Sequence, residues 1–134
     1  MADLTKIEGV EKADAQKLEA AGISTAGALV KRGADPQGRR AIAAETGISG
    51  SLILRWLNHI DLFRIKGVGD EYANLLVAAG VRTVRELARR NPKKLYQKMV
   101  KLNKAEELVR KLPSLAQVKD WVAQAKRLPR VITS

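Results

Sequence analysis

The sequence predicts an all-α protein built from a helical unit that is used twice. Apolar residues recur every three or four positions, as in Leu95, Met99 and Leu102 or Leu115, Val118, Val122 and Ala125. That is the period of a helix with one buried face. No segment alternates like a strand, apart from the short tail 130 to 133. The chain is also self-similar: IEGVEKADAQKLEAAGISTAGAL (7 to 29) lies over IKGVGDEYANLLVAAGVRTVREL (65 to 87) at a constant offset of 58.

The repeat keeps order as well as composition. Ile7, Gly9, Val10, Ala15 and Leu18 recur as Ile65, Gly67, Val68, Ala73 and Leu76. Ala20-Ala21-Gly22 returns as Ala78-Ala79-Gly80, Thr25 as Thr83 and Leu29 as Leu87. Asp35-Pro36 and Asn91-Pro92 follow, now two residues closer, and Ser51-Leu52 and Ser114-Leu115 each precede a tryptophan, Trp56 and Trp121. The unit is about 60 residues long, the length of one supersecondary module repeated.

Each element has a local reason. Residues 11 to 21 are good helix formers, and Gly22 sits where a left-handed C-cap belongs. Thr25 caps a helix over 26 to 32. Asp35-Pro36 is an N-cap followed by proline at the first helical position, opening a helix to about 46. Ser49 or Ser51 opens the next, through Asp61. The same logic predicts second-unit helices at 70 to 79, 84 to 90, 92 to 102, 104 to 111 and 114 to 127, with Pro113 separating the last two. The domains read as 1 to 63, 64 to 128 and an extended tail, 129 to 134, that packs back or reaches a partner.

Composition bounds the function. Lys plus Arg outnumber Asp plus Glu by 25 to 14, a net charge of +11, so the expected partner is polyanionic. Residues 1 to 64 carry 9 basic and 8 acidic side chains, whereas 65 to 134 carry 16 and 6. The attraction therefore resides in the second half. There is no cysteine, which removes disulfides and thiolate metal sites. No apolar run reaches the roughly 20 residues of a membrane span. The N-terminus has no apolar signal segment, and the expected location is cytoplasmic.

The glycines of the second unit raise a chemical question. Ile65, Gly67, Val68, Gly69, Ala73 and Leu76 form the pattern Ile-x-Gly-Val-Gly-x-x-x-Ala-x-x-Leu, which resembles the helix-hairpin-helix motif. The resemblance implies a Gly-hydrophobic-Gly hairpin whose bare backbone grips one DNA strand through its phosphates. Free N–H groups at a helix N-terminus suit a phosphate oxygen. Other phosphate loops fit poorly, because neither a P-loop signature nor a strand preceding a Gly-rich turn is present. A purely structural interhelical turn is the competing use of the same glycines. The first copy departs from the pattern: Glu11 replaces the second hairpin glycine and Glu8 flanks Gly9. That hairpin is expected to be structural or to touch protein. The second has Lys66 and the full Gly67-Val68-Gly69, followed by Asp70 and Glu71 in a first helical turn, where acids are favoured.

The longer order Ile65-Lys66-Gly67-Val68-Gly69, Tyr72-Ala73, Leu76, Ala79-Gly80-Val81, Thr83-Val84, Glu86-Leu87-Ala88, Arg90-Asn91-Pro92 is similar to the family known as domain of unknown function 4332. So is Leu108-Val109-Arg110, Pro113-Ser114, Val118, Trp121-Val122, Ala125-Lys126. The likeness spans about residues 60 to 134, and more weakly 4 to 60 through the duplication. It implies helix-hairpin-helix units, each repeat opening with one, and carries no activity.

Between Arg82 and Lys104 stand nine basic residues and one acid, Glu86. Arg82, Arg85 and Arg89 share one helical face; Arg90 and Lys93 follow, and Lys94, Lys98 and Lys101 share a face of the next helix. A solvated face is the usual meaning of such a run; the scarcity of acids favours nucleic acid. The expected nucleic-acid-binding residues are Lys66, Gly67, Val68, Gly69, Arg82, Arg85, Arg89, Arg90, Lys93, Lys94 and Lys98. Double-stranded DNA, bound without sequence preference, is the favoured partner, with RNA left open. The alternative is a helical interaction module with structural hairpins and an acidic protein or membrane surface as partner. No catalytic set is visible: His59 is the only histidine, read as packed or surface, and no metal or cofactor is expected. Trp56 and Trp121 read as core rather than base-stacking residues.

Overall fold

Side-chain caps start most of the helices. The computed structural model describes Leu4, Ile7 and residues 9–133; Glu8, expected beside the first hairpin, lies outside the described residues. The helices are α1 (Lys12–Ala20), α2 (Ala26–Gly33), α3 (Pro36–Thr46), α4 (Gly50–Leu62), α5 (Asp70–Ala78), α6 (Val84–Ala88), α7 (Pro92–Glu106) and α8 (Leu115–Arg127). No strand occurs among the described residues, so the fold is all-α. Thr25, Asp35, Thr83 and Asn91 each accept an amide three residues ahead, at 3.1, 2.7, 3.2 and 3.1 Å. Ser49, not Ser51, caps α4, accepting from the Leu52 amide at 3.2 Å. Ser114 and Gln117 form a reciprocal capping box on α8.

Two expected boundaries differ: α6 stops at Ala88 rather than 90, and the larger departure is in α7. The chain does not break at 102 and resume as a helix over 104 to 111. Helix α7 runs on to Glu106 and ends at Glu107, which has φ +49°. Asn103 sets this stop from inside the helix. Its backbone carbonyl accepts the Glu107 amide at 2.8 Å, and its side chain accepts the Val109 amide at 2.9 Å. Residues 107–114 are then irregular, and Val109 is buried.

Contacts divide the chain into two units, Met1–Ile60 with Val131–Ser134, and Asp61–Arg130. The first is built on Leu18, Ile23, Leu29, Ile42, Ile53, Trp56 and Leu57, all fully buried. Its last component comes from the far end of the chain. Ile132 is buried among these residues, and the Thr133 amide donates to the Ala34 carbonyl at 2.7 Å. Arg39 fastens this tail: its guanidinium donates to the carbonyls of Gly33 (2.9 Å), Ala34 (3.1 Å) and Thr133 (2.6 Å). Burial lowers the Arg39 pKa; Asp35 opposes the shift and Arg40 adds to it. Three carbonyl acceptors offset the desolvation of a cation.

The second unit has its own core, with Leu76, Leu87, Met99, Val118 and Trp121 at the centre. Helices α6 and α7 pack on α8, and α5 packs on α7. Buried Asp61 closes the unit. One carboxylate oxygen accepts the Val84 amide at 2.8 Å, and the other accepts from Arg64 at 2.9 Å. Arg64 also donates to the Pro129 carbonyl, joining the two ends of the unit.

Because Ile132 is 6% exposed, Ile132→Ala should cost about 2–4 kcal/mol, the cost of a buried cavity. Amide hydrogen exchange is the check. Protection should fall in α2 and α3 and persist in α7 and α8; unchanged exchange in α2 and α3 would show that the tail does not stabilise the first unit.

Candidate nucleic-acid interface

The two hairpin glycines have different jobs. Gly67 has φ +96°, a left-handed conformation that L side chains avoid. A Cβ there would lie 3.1 Å from Trp121 Nε1. Gly69 is extended, with φ −101° and ψ −166°, and forms the N-cap of α5. A Cβ on Gly69 would meet nothing within 4 Å. Of the two, only Gly67 therefore needs positive φ. Val68, between them, is buried, while Lys66, Gly67 and Gly69 are exposed.

Helix α8 holds this hairpin. The Gln124 side-chain amide accepts the Lys66 amide at 2.9 Å and donates to the Lys66 carbonyl at 3.1 Å. It also donates to Asp120 at 2.8 Å, which fixes its orientation. The Val68 amide is taken by the Ile65 carbonyl. The hairpin leads into the first turn of α5, whose N-cap, Gly69, supplies no side-chain cap.

The first unit repeats the core of this arrangement. Gly9 has φ +88°, and a Cβ there would lie 3.6 Å from Trp56 Nε1. Glu11 is the extended N-cap of α1, with φ −83° and ψ 162°, the position that Gly69 holds on α5. Both tryptophans are buried. Tyr72 covers Trp121 with ring centroids 5.2 Å apart, and its hydroxyl donates to the Lys111 carbonyl at 3.0 Å. His59 is buried and stands three residues after Trp56, as Gln124 stands three after Trp121.

The basic candidates fall into three groups. Lys66 and Gly69 lie at the N-terminal end of α5. Arg90 and Lys98 converge on Gly80, at its C-terminal end: Arg90 donates to the Gly80 carbonyl at 3.0 Å, and Lys98 Nζ lies 3.8 Å from where a Gly80 Cβ would be. A nine-residue helix puts about 13 Å between these groups. Arg85 belongs to a third group. It is fully exposed, and its pKa is lowered first by Arg130, then by Arg89. Arg82, Lys93 and Lys94 are exposed on either side of Arg90 in sequence.

Arg90 has a counterpart at the repeat offset. Arg32 donates to the Ala21 carbonyl at 2.8 Å, at the end of α1. There, however, the guanidinium also pairs with Glu45 at 3.1 Å. In the second unit the neighbour is Lys98. Glu86, the acid within the basic run, turns to the Arg82 amide at 2.6 Å and so serves a helix start.

The family model for domain of unknown function 4332 matches residues 1–128. The chain belongs to this family. No curated protein and no solved structure matches it.

This family member also has a groove that sequence reading missed. It encloses about 360 Å³ between α6 and α8, with Val84, Ala88 and Leu128 on its floor and Arg85, Lys126 and Arg130 around it. The basic run at 126 to 130 was its one sequence signal; only the packing of α6 on α8 brings it to Arg85. Among the described residues, no cluster of three or more His, Cys, Asp or Glu could hold a metal, and no helix is long and apolar enough to cross a membrane.

The glycines can be separated by substitution. Gly67→Ala should cost about 1–2 kcal/mol or more, from the left-handed backbone and the Trp121 contact. Gly69→Ser, which keeps a favourable N-cap, should leave stability within about 0.5 kcal/mol. Thermal unfolding decides: equal losses in the two variants would refute the division.

Proposed function

We propose that the chain binds double-stranded DNA through its phosphate backbone, without sequence preference, and that both units are of the helix-hairpin-helix type. The observation that carries this reading is the charge contrast at one shared position. Arg32 and Arg90 both anchor the end of a first helix, but Arg32 pairs with Glu45 whereas Arg90 shares the Gly80 turn with a second cation, Lys98. On one scaffold, the first unit is neutralised and the second accumulates cations. Such an accumulation costs stability through self-repulsion unless a polyanion relieves it.

Lys93, Lys94 and Lys98 on α7, with Arg82 beside them, are the main phosphate contacts in this reading. Lys66 and the open α5 start at Gly69 supply the second point of attachment. A separation of about 13 Å along α5 covers about four successive phosphates at 3.4 Å of axial rise per strand. Arg90 supports the surface by holding the Gly80 turn. The α5 start carries exposed Asp70 and Glu71, so the α7 lysines contribute more than the hairpin.

Titration of random duplex DNA at several salt concentrations tests the reading. With four to six phosphates neutralised, log affinity should fall against log salt with a slope of roughly −4 to −5. Lys93→Gln, Lys94→Gln and Lys98→Gln together should flatten the slope by up to about 3, at about 0.9 per lost phosphate. Folding should persist, because glutamine is nearly as helix-favouring as lysine. Gly69→Glu copies Glu11 into the second hairpin and should weaken binding about tenfold. The control replaces exposed Lys12, Lys17 and Lys31 with glutamine. A flat salt response, or a control that weakens binding as much as the α7 set, would sink the proposal.

A further inference from the structure

We propose that the groove between α6 and α8 docks an acidic segment of another protein, burying one leucine-sized side chain on Val84, Ala88 and Leu128 while Arg85, Lys126 and Arg130 face its carboxylates. The groove measures about 360 Å³, enough for a side chain and too small for a duplex. Its chemistry has two parts that nucleic acid does not use together. A phosphodiester needs the cations and gains nothing from an apolar floor. An apolar side chain gains from the floor, and its acidic neighbours gain from the cations.

The place of the groove supports a separate occupant. On α8, Gln124 grips the hairpin, and Lys126 lies two residues on, about 160° around the helix. Hairpin and groove therefore use different faces of α8. Arg85 is fully exposed, and like charges dominate its surroundings: its pKa is depressed first by Arg130 and then by Arg89. Carboxylates arriving at this rim would relieve that repulsion. Ala88 and Leu128 are only half-buried, so apolar surface remains for a partner to cover.

The probe is a short fluorescent peptide of glutamates around one leucine, titrated into the intact 134-residue chain without DNA. This measurement stands or falls independently of duplex binding. Saturable binding is expected, with amide shifts confined to α6 and to residues 125–130. A peptide with serine in place of leucine should bind at least about tenfold more weakly, and so should one with glutamine in place of glutamate. Ala88→Trp, which fills the groove, should abolish binding. Arg85→Glu with Lys126→Glu changes only exposed positions and should also abolish it in a folded protein. Equal binding of the serine peptide, shifts spread over the basic surface, or displacement of the peptide by a short duplex would overturn the proposal.

Discussion

The contact between Trp121 and Gly67 sets the geometry of the second unit. The indole Nε1 lies 3.1 Å from where a side chain on Gly67 would begin, a tight approach. Glycine is required there twice over, by its φ of +96° and by this approach. Tyr72 lies on the same ring, and Gln124, one turn further along α8, ties down the Lys66 backbone. The start of α5 is thus fixed by a helix more than fifty residues away in sequence. From there α5 carries the chain to the Gly80 turn, where Arg90 holds the last carbonyl. In the first unit a Cβ on Gly9 would stand 3.6 Å from Trp56 Nε1, an ordinary contact, so there the φ of +88° alone calls for glycine.

That constraint explains which residues differ between the copies. Gly69 faces open space and adopts an extended conformation open to any residue, so its counterpart is Glu11 without structural cost. Arg39 and Leu95 occupy equivalent places near the starts of α3 and α7, and both are buried. The first unit needs the cation because the carbonyls of Gly33, Ala34 and Thr133 converge there. The packing scaffold stays constant while the groups that face solvent, or meet a tail, vary with local need.

Much of the fold was legible because it is written locally. Thr25, Asp35, Thr83, Asn91 and Ser114 signal helix starts by their own chemistry, and each caps as expected. The all-α class and two similar units followed from spacing and self-similarity. What escaped depends on contacts distant in sequence. Nothing around residue 103 says that an asparagine will close a helix by capturing the Val109 amide rather than by interrupting it. The tail read as packing back or reaching a partner, and only the structure shows Ile132 completing the first core. Arg90 read as one more surface cation, although its counterpart Arg32 offered a clue; only the structure reveals the carbonyl that each serves. The α6–α8 groove joins residues about forty apart, and no local pattern announces it.

The charge asymmetry can persist because it is confined to exposed side chains. A single surface ion pair such as Arg32–Glu45 is worth about 1 kcal/mol or less, so its absence beside Arg90 costs the fold little. At physiological salt, charges interact weakly beyond about 8 Å. The anchoring hydrogen bonds of Arg90, Arg64 and Gln124 are short-range and remain in place. Stability thus rests on the buried core and these anchors, while most basic residues between Arg82 and Lys104 stand where the first unit has neutral ones, as Arg82 and Arg85 do for Ser24 and Gly27. The second unit thus carries its excess of cations without cost to its packing.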